Sequence, residues 1–155
     1  MRTLTAMNLS DDPSTARMLE TIGFERLVHT DPSGVAHVRF AARPEFAHSR
    51  GTTVQGGLIA AWLDNAMAHA VRARDAAVGI STLELKLSYL ERVGVAPMEA
   101  RARVLRWGGS VVFLEADLVD EQGQVLVKAN STGKLLRPKP AAAVKPANPV
   151  EVAQP

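Results

Sequence analysis

Residues 56–74 read GGLIAAWLDNAMAHAVRAR and form the strongest helical pattern in the chain. Apolar side chains occur almost all the way round the helix that this segment would form. A helix of that kind is buried on more than one side, as happens when it lies against a sheet. The segment therefore predicts a long interior helix that begins at Gly56 and ends near Arg74.

The segments that follow this helix alternate between apolar and polar residues, which is the pattern of β-strands. The clearest case is residues 82–90, where Thr82 should lie on the face opposite to Leu83, Leu85, Leu87 and Tyr89. Further strands are predicted over residues 98–107, 111–119 and 125–135. Strands that follow one another through short turns form antiparallel sheets rather than βαβ units.

The segments before the long helix predict a short helix over residues 10–22, capped by Ser10 or Asp11, and strands over 24–29 and 35–41. Residues 43–55 have no periodicity and are predicted to be a loop. The predicted fold is therefore α+β, with a five- to six-stranded antiparallel sheet wrapped around one long buried helix. We expect a single domain over residues 1–137 and a disordered, Pro- and Ala-rich tail over 138–155.

The composition excludes several classes of function. The 155 residues are 46% apolar and 22% charged, as in ordinary globular proteins, and they include no cysteine. Disulfides, thiolate metal sites and a cysteine nucleophile are therefore excluded. The net charge of +2 is spread along the chain without a basic cluster, so we expect no nucleic-acid partner. No apolar stretch is long enough to span a membrane and no signal-peptide pattern precedes the fold, so we expect a cytoplasmic protein.

Asp64 is the residue that most strongly indicates chemistry. Helical geometry places Asn65, His69 and Arg72 on one stripe and turns Asp64 about 100° away, among small apolar residues. A buried carboxylate must be paired, protonated or functional. Two interpretations follow: a structural ion pair with an arginine from a strand, or a general base or nucleophile.

The Gly56-Gly57 pair would begin the same helix. The unpaired N–H groups and the positive dipole end of a helix N-terminus suit a developing oxyanion, and glycine permits close approach of a ligand to the backbone. A glycine pair more often serves a turn or close packing, so this feature is a weak indication by itself.

Together these residues resemble a known family. Residues 51–67, GTTVQGGLIAAWLDNAM, are similar to the motif of PaaI-type thioesterases, in which a Gly-x-x-His-Gly-Gly segment precedes an Asp or Glu by about two helical turns. Residues 82–90 are similar to the first long strand after that helix in the family. The resemblance extends over roughly residues 24–136. It implies a hotdog fold, in which the sheet wraps the long helix and two subunits join edge to edge.

The resemblance also implies an activity, the hydrolysis of a small, medium-chain or aromatic acyl-CoA to the free acid and CoA. Gly56 would donate its backbone N–H to the thioester carbonyl, and Asp64 would attack directly or activate a water. Thr82 matches a hydroxyl position that places the water or the carboxylate. Gln55 stands where many members have His, and its amide can donate to the same carbonyl but cannot titrate near neutral pH.

Each active site would draw on both subunits of a homodimer, which can pair further into a dimer of dimers. We expect substrate contacts from Gly57, Asn65, Ala61 and Met67, and no metal or organic cofactor. Some relatives have Asn where this chain has Ser49, beside His48. Arg92, Arg106, Lys134 and Arg137 are candidates for binding the CoA phosphates, although each is more simply a solvated surface charge.

Two other functions compete with hydrolysis. A hotdog module can bind an acyl or aromatic ligand without catalysis, because one fold hosts several functions. A carboxylate on an apolar helix face favours the enzyme, since a lipid binder gains nothing from it. A dehydratase acting on acyl thioesters ranks last, because those enzymes pair a His with an acidic residue and have a proline-rich loop pattern that is missing here.

Overall fold

The computed structural model describes residues 12–138. The first helix, α1, comprises Pro13–Thr21. Asp12 caps it, accepting hydrogen bonds from the Ser14 and Thr15 hydroxyls and from the Thr15 backbone N–H, and these bonds lower the pKa of Asp12 to about 2. The N-cap of α1 is therefore Asp12. The two predicted N-cap residues, Ser10 and Asp11, lie outside the described residues. The predicted disordered tail also lies outside them, apart from Pro138.

The remaining elements follow in one order along the chain: β1 (Phe24–Asp31), β2 (Val35–Phe40), β3 (Ala47–His48), β4 (Thr53–Val54), α2 (Gly56–Arg74), β5 (Gly79–Tyr89), β6 (Met98–Trp107), β7 (Val111–Val119) and β8 (Val125–Leu136). Residues 43–55 are not the structureless loop that we predicted. They contain a 3-10 helix, Pro44–Phe46, and the two-residue strands β3 and β4, which pair with each other.

The main sheet has six strands in the order β1-β2-β6-β7-β8-β5, and every neighbouring pair is antiparallel. Helix α2 lies against β1, β2, β5, β6 and β7. The predicted α+β fold, one long helix wrapped by a six-stranded antiparallel sheet, is confirmed. Among residues 12–138, no helix has the combination of length and apolar character that a membrane span requires.

Trp62 anchors α2 to the rest of the core. Its side chain is 0% exposed, and its ring stacks on Phe40 with 5.5 Å between centroids. The indole N–H donates a 2.6 Å hydrogen bond to the carbonyl of Ile22, just after α1. A buried indole needs such a partner, so this bond fixes both the rotation of α2 and the position of α1.

One side of α2 is not covered by the sheet. Gly57 is exposed, and Ala61, Asp64 and Ala68 are only partly buried in the single chain. The sequence pattern alone suggested burial almost all round, because alanine and glycine are compatible with both a covered and an open face. The open side therefore bears mainly small residues around one carboxylate.

Candidate active site

The carboxylate of Asp64 meets strand β5 through Thr82. The Thr82 hydroxyl donates a 2.7 Å hydrogen bond to Oδ1 of Asp64. Asp64 is partly buried on α2, while Thr82 is exposed at the edge of the sheet. Oδ2 of Asp64 has no hydrogen-bond partner among residues 12–138, so Thr82 orients the carboxylate and one oxygen remains available to another group.

A β-bulge brings Thr82 to this position. Thr82 pairs with Gly133 and Glu84 pairs with Thr132, so two steps along β5 match one step along β8. The extra residue, Leu83, is 60% exposed. An inserted residue of this kind inverts the alternation of side chains along a strand. Thr82 therefore faces the helix together with Leu85, although strict alternation predicted opposite faces for them.

No cation neutralises Asp64 within residues 12–138, where the ion pairs involve other carboxylates. The structural interpretation required an arginine from a strand beside Asp64. Because that partner is missing in the described part of the chain, the arrangement favours a functional carboxylate over a structural one.

Gln55 caps the N-terminus of α2 with its side chain. The side-chain oxygen Oε1 accepts hydrogen bonds from the backbone N–H groups of Gly57, at 2.5 Å, and Leu58, at 3.2 Å. The side-chain NH₂ of Gln55 keeps its donors, and it has no hydrogen-bond partner among residues 12–138. The sequence predicted only the donor role of Gln55; the capping role was missed because glutamine is not a usual N-cap residue.

The capping pattern leaves one backbone donor open at the start of α2. Gly57 and Leu58 donate to Gln55, and the N–H of Ile59 bonds the carbonyl of Gln55. The N–H of Gly56 has no acceptor among the described residues. A free N–H at the positive end of a helix dipole is suited to stabilise negative charge on an oxygen.

The ends of two polar side chains lie close to Gly56 and Gly57. A Cβ on Gly56 would lie 3.0 Å from the hydroxyl of Tyr89, and a Cβ on Gly57 would lie 2.8 Å from Oε1 of Gln55. Tyr89 also donates a 2.7 Å hydrogen bond to the carbonyl oxygen of Gly56. The sequence pattern placed Tyr89 on an apolar strand face, so its polar contact with Gly56 was not predicted. The hydroxyl group of the side chain was the feature that could have indicated such a contact.

The predicted substrate contacts fall into different environments. Gly57 and Ala61 lie on the open side of α2. Met67 is 1% exposed and belongs to the hydrophobic core, so the structure argues against its predicted contact with substrate. Asn65 is partly buried, and its side-chain oxygen has no hydrogen-bond partner among the residues described.

The helical pattern placed His69 on one stripe with Asn65 and Arg72, and the structure shows that its side chain is buried. It is 7% exposed and stacks on Phe24 with ring centroids 5.7 Å apart. Its Nε2 is buried without a partner in the described part of the chain. Burial, reinforced by the positive charge of Arg72, lowers the pKa of His69 from 6.5 to about 4. His69 is therefore a neutral core residue at neutral pH.

The other candidates lie on the surface of the described part of the chain. His48 is exposed, with Nδ1 2.8 Å from the Ser49 hydroxyl. Arg137 lies over the Trp107 ring and donates to the carbonyl of Gly109, whereas Arg92, Arg106 and Lys134 are exposed and form no ion pair within residues 12–138. Residues 12–138 contain no cluster of three or more His, Asp or Glu side chains that could hold a metal ion.

Comparisons with known proteins agree on the family. Residues 51–127 match the model of the thioesterase superfamily. A protein of Saccharolobus solfataricus that is provisionally named an esterase is 31% identical over 106 residues, which cover 68% of this chain and 75% of the relative.

Two solved structures have the same fold. A phenylacetic acid degradation-related protein from Ralstonia eutropha is 30% identical, with a TM-score of 0.68 over 76% of this chain and 89% of that one. A mutant form of the phenylacetic acid degradation protein PaaI from Thermus thermophilus is 25% identical, with a TM-score of 0.67 over 79% and 98% of the two chains. With the wrapped helix and the Gln-Gly-Gly to Asp64 spacing, these matches show that the chain belongs to the thioesterase superfamily, as a hotdog-fold protein of the PaaI type.

Proposed function

We propose that this protein hydrolyses acyl-CoA thioesters, with Asp64 as the catalytic carboxylate and Gly56 as the backbone oxyanion donor. The observation that carries the proposal is Asp64 itself, which is oriented by Thr82 and has no cationic partner among residues 12–138. A carboxylate held in this way keeps its second oxygen available for acyl transfer.

The chemistry needs only a carboxylate and oriented donors. Asp64 takes a proton from a water molecule as the water oxygen bonds to the thioester carbon; the carbon–sulfur bond then breaks, and CoA leaves as a thiolate that recovers the proton. In the second route, Asp64 itself bonds to the carbon as the carbon–sulfur bond breaks and CoA leaves as a thiolate. Water then hydrolyses the resulting anhydride, which regenerates Asp64, frees the acid and supplies the proton that the thiolate takes up. In both routes the carbonyl oxygen becomes negative, and the N–H of Gly56 and the amide of Gln55 are the donors that we assign to it.

A second copy of the chain is part of this proposal. Gly56 and Asp64 are eight residues apart on one helix, which corresponds to about 12 Å along its axis. One carbonyl group cannot reach both at bonding distance, since catalysis needs the donor and the attacking atom each within about 3 Å. We infer that Asp64 of one copy works with Gly56 of the other.

Strand β5 is the surface that we assign to this pairing. It is an edge strand that pairs only with β8 within residues 12–138. It exposes Leu83 and Tyr89, and the exposed Leu90 follows directly after it. An exposed edge with apolar side chains is a template for pairing with another chain. Pairing across β5 also places the second copy beside Thr82, and hence beside Asp64.

The experiment is a thiol-release assay with purified protein against short, medium-chain, long and aryl acyl-CoAs. We expect turnover on at least one small, medium-chain or aromatic member of this panel. Flat traces from folded protein across the whole panel would favour the non-catalytic module that binds an acyl or aromatic ligand. Light scattering in the same buffer should report a dimer or a larger assembly, and a fully active 16.6 kDa monomer would contradict the shared site.

A further inference from the structure

Tyr89 makes a contact that neither the hydrolytic chemistry nor the family resemblance requires. It lies at the end of β5, and its hydroxyl donates to the carbonyl oxygen of Gly56, the first residue of α2. Tyr89 is 52% exposed, so burial alone does not dictate where the hydroxyl points. Partial burial raises the pKa of Tyr89, which keeps the hydroxyl protonated and able to donate at neutral pH.

The acceptor of this bond belongs to a peptide group that is held at both ends. The carbonyl of Gly56 and the N–H of Gly57 form one planar unit. Tyr89 binds its oxygen at 2.7 Å, and Oε1 of Gln55 accepts from its nitrogen at 2.5 Å. One donor and one acceptor on opposite ends fix both the position and the tilt of this peptide plane.

The peptide group immediately before it carries the open N–H of Gly56. The backbone of Gln55 is tied down as well, because its N–H donates a 2.8 Å hydrogen bond to the carbonyl of Phe46. The direction of the Gly56 N–H is therefore set by contacts on both sides of it. Only the contact from Tyr89 comes from the sheet; the capping contact is local to the helix.

We propose that Tyr89 is a positioning residue, which holds the oxyanion donor Gly56 in place through its carbonyl group. This inference rests on the proposed function and adds a residue to it. Tyr89 acts through the backbone rather than on the substrate. A donor that is misplaced by a few tenths of an ångström binds the ground-state carbonyl almost as well, but it stabilises the developing charge less.

The kinetic test uses Tyr89→Phe in the full chain, because this change removes only the hydroxyl. We expect kcat on the best thioester to fall about five- to tenfold, as for the loss of one neutral hydrogen bond, with KM changed by less than about twofold. Ser88→Ala is the matched control, since Ser88 is the adjacent exposed residue of β5 and should leave both constants unchanged. A wild-type kcat in Tyr89→Phe, or an equal loss in the control, would overturn the proposal.

A second measurement is independent of activity. The amide nitrogen of Gly57 belongs to the peptide whose oxygen Tyr89 binds, so its ¹⁵N chemical shift should move in Tyr89→Phe and stay in place in Ser88→Ala. An unmoved Gly57 signal would overturn the positioning role even if kcat fell. If the wild-type protein hydrolysed no thioester, the proposed function and the kinetic consequence would fail together, whereas the Gly57 signal would still show whether Tyr89 holds this peptide.

Discussion

The hydroxyl of Thr82 donates a 2.7 Å hydrogen bond to Oδ1 of Asp64, across 18 residues of sequence. This bond joins the long helix to the edge strand of the sheet and fixes one oxygen of the carboxylate. Through Tyr89, the same strand also reaches the first residue of the helix. Asp64 and Gly56, two of the residues that we assign to catalysis, are thus held by β5, the strand that we expect to meet the second copy.

Replacing Asp64 by Asn separates a catalytic role from a structural one. The change keeps the size of the side chain and an acceptor for Thr82, but it removes the charge and the basicity. We expect hydrolysis to fall by at least ~10²-fold, the lower range for loss of a general base. The melting temperature should stay near the wild-type value, because no cation in residues 12–138 loses a partner. A folded variant with near wild-type turnover would disprove the catalytic assignment of Asp64.

The role of Thr82 is tested by two replacements of different chemistry. Thr82→Val keeps the branched shape but cannot donate, so Asp64 loses its orienting bond. We expect kcat to fall about tenfold and stability to change by about 1 kcal/mol or less, since the bond is accessible to solvent. Thr82→Ser retains the hydroxyl and should restore most of the activity. Equal kinetics for Val and Ser at this position would show that the hydrogen bond does not matter for turnover.

Three forms of residue 55 distinguish the cap from the donor group. Gln55→Ala removes both functions of the wild-type side chain and should lower the free energy of unfolding by about 1 kcal/mol, as for a lost N-cap. Gln55→Glu keeps an oxygen for Gly57 and Leu58, and its charge is favourable at the helix N-terminus, so stability should be retained.

The same Gln55→Glu variant lacks the amide donor and places a negative charge beside the developing oxyanion, so kcat should fall by more than about tenfold. Denaturant unfolding measures the change in stability, and steady-state kinetics on the same preparations measure the change in kcat. Full activity in Gln55→Glu would rule out the amide as an oxyanion donor.

His69 predicts a specific pH dependence of stability. Its pKa is about 4 in the folded chain, below its ordinary value of 6.5, so the unfolded chain binds more protons between these two values. Stability should therefore be fully present above pH 6.5 and decrease as the pH falls towards 4, by up to about 3 kcal/mol for a shift of this size.

The measurement is denaturant unfolding from about pH 7.5 to about pH 4, the window that linkage assigns to this group, for the wild type and for His69→Phe. The variant keeps an aromatic partner for Phe24 and removes the buried Nε2, so its stability should depend less on pH across this window. Parallel curves for the two proteins would show that His69 does not contribute to the acid sensitivity of the fold.

Local patterns in the amino-acid sequence were sufficient to predict the class of fold, and they indicated Asp64 as the candidate catalytic residue. The apolar side chains almost all round the helix over residues 56–74 predicted a buried helix, and the alternating segments after it predicted an antiparallel sheet. These features depend on local periodicity, which a single sequence shows directly. The periodicity of the same helix also showed that Asp64 is a lone carboxylate among small apolar residues.

The arrangement of the neighbours of Asp64 followed instead from contacts between distant segments. The bulge at Leu83, which turns Thr82 towards the helix, arises from pairing with β8, and no local pattern in β5 reveals it. The contact of Tyr89 with Gly56 joins residues 33 positions apart, and the burial of His69 depends on Phe24 across the fold. Alternation and helical stripes assign a residue to a face, but which partner that face meets depends on strand register and packing between distant segments.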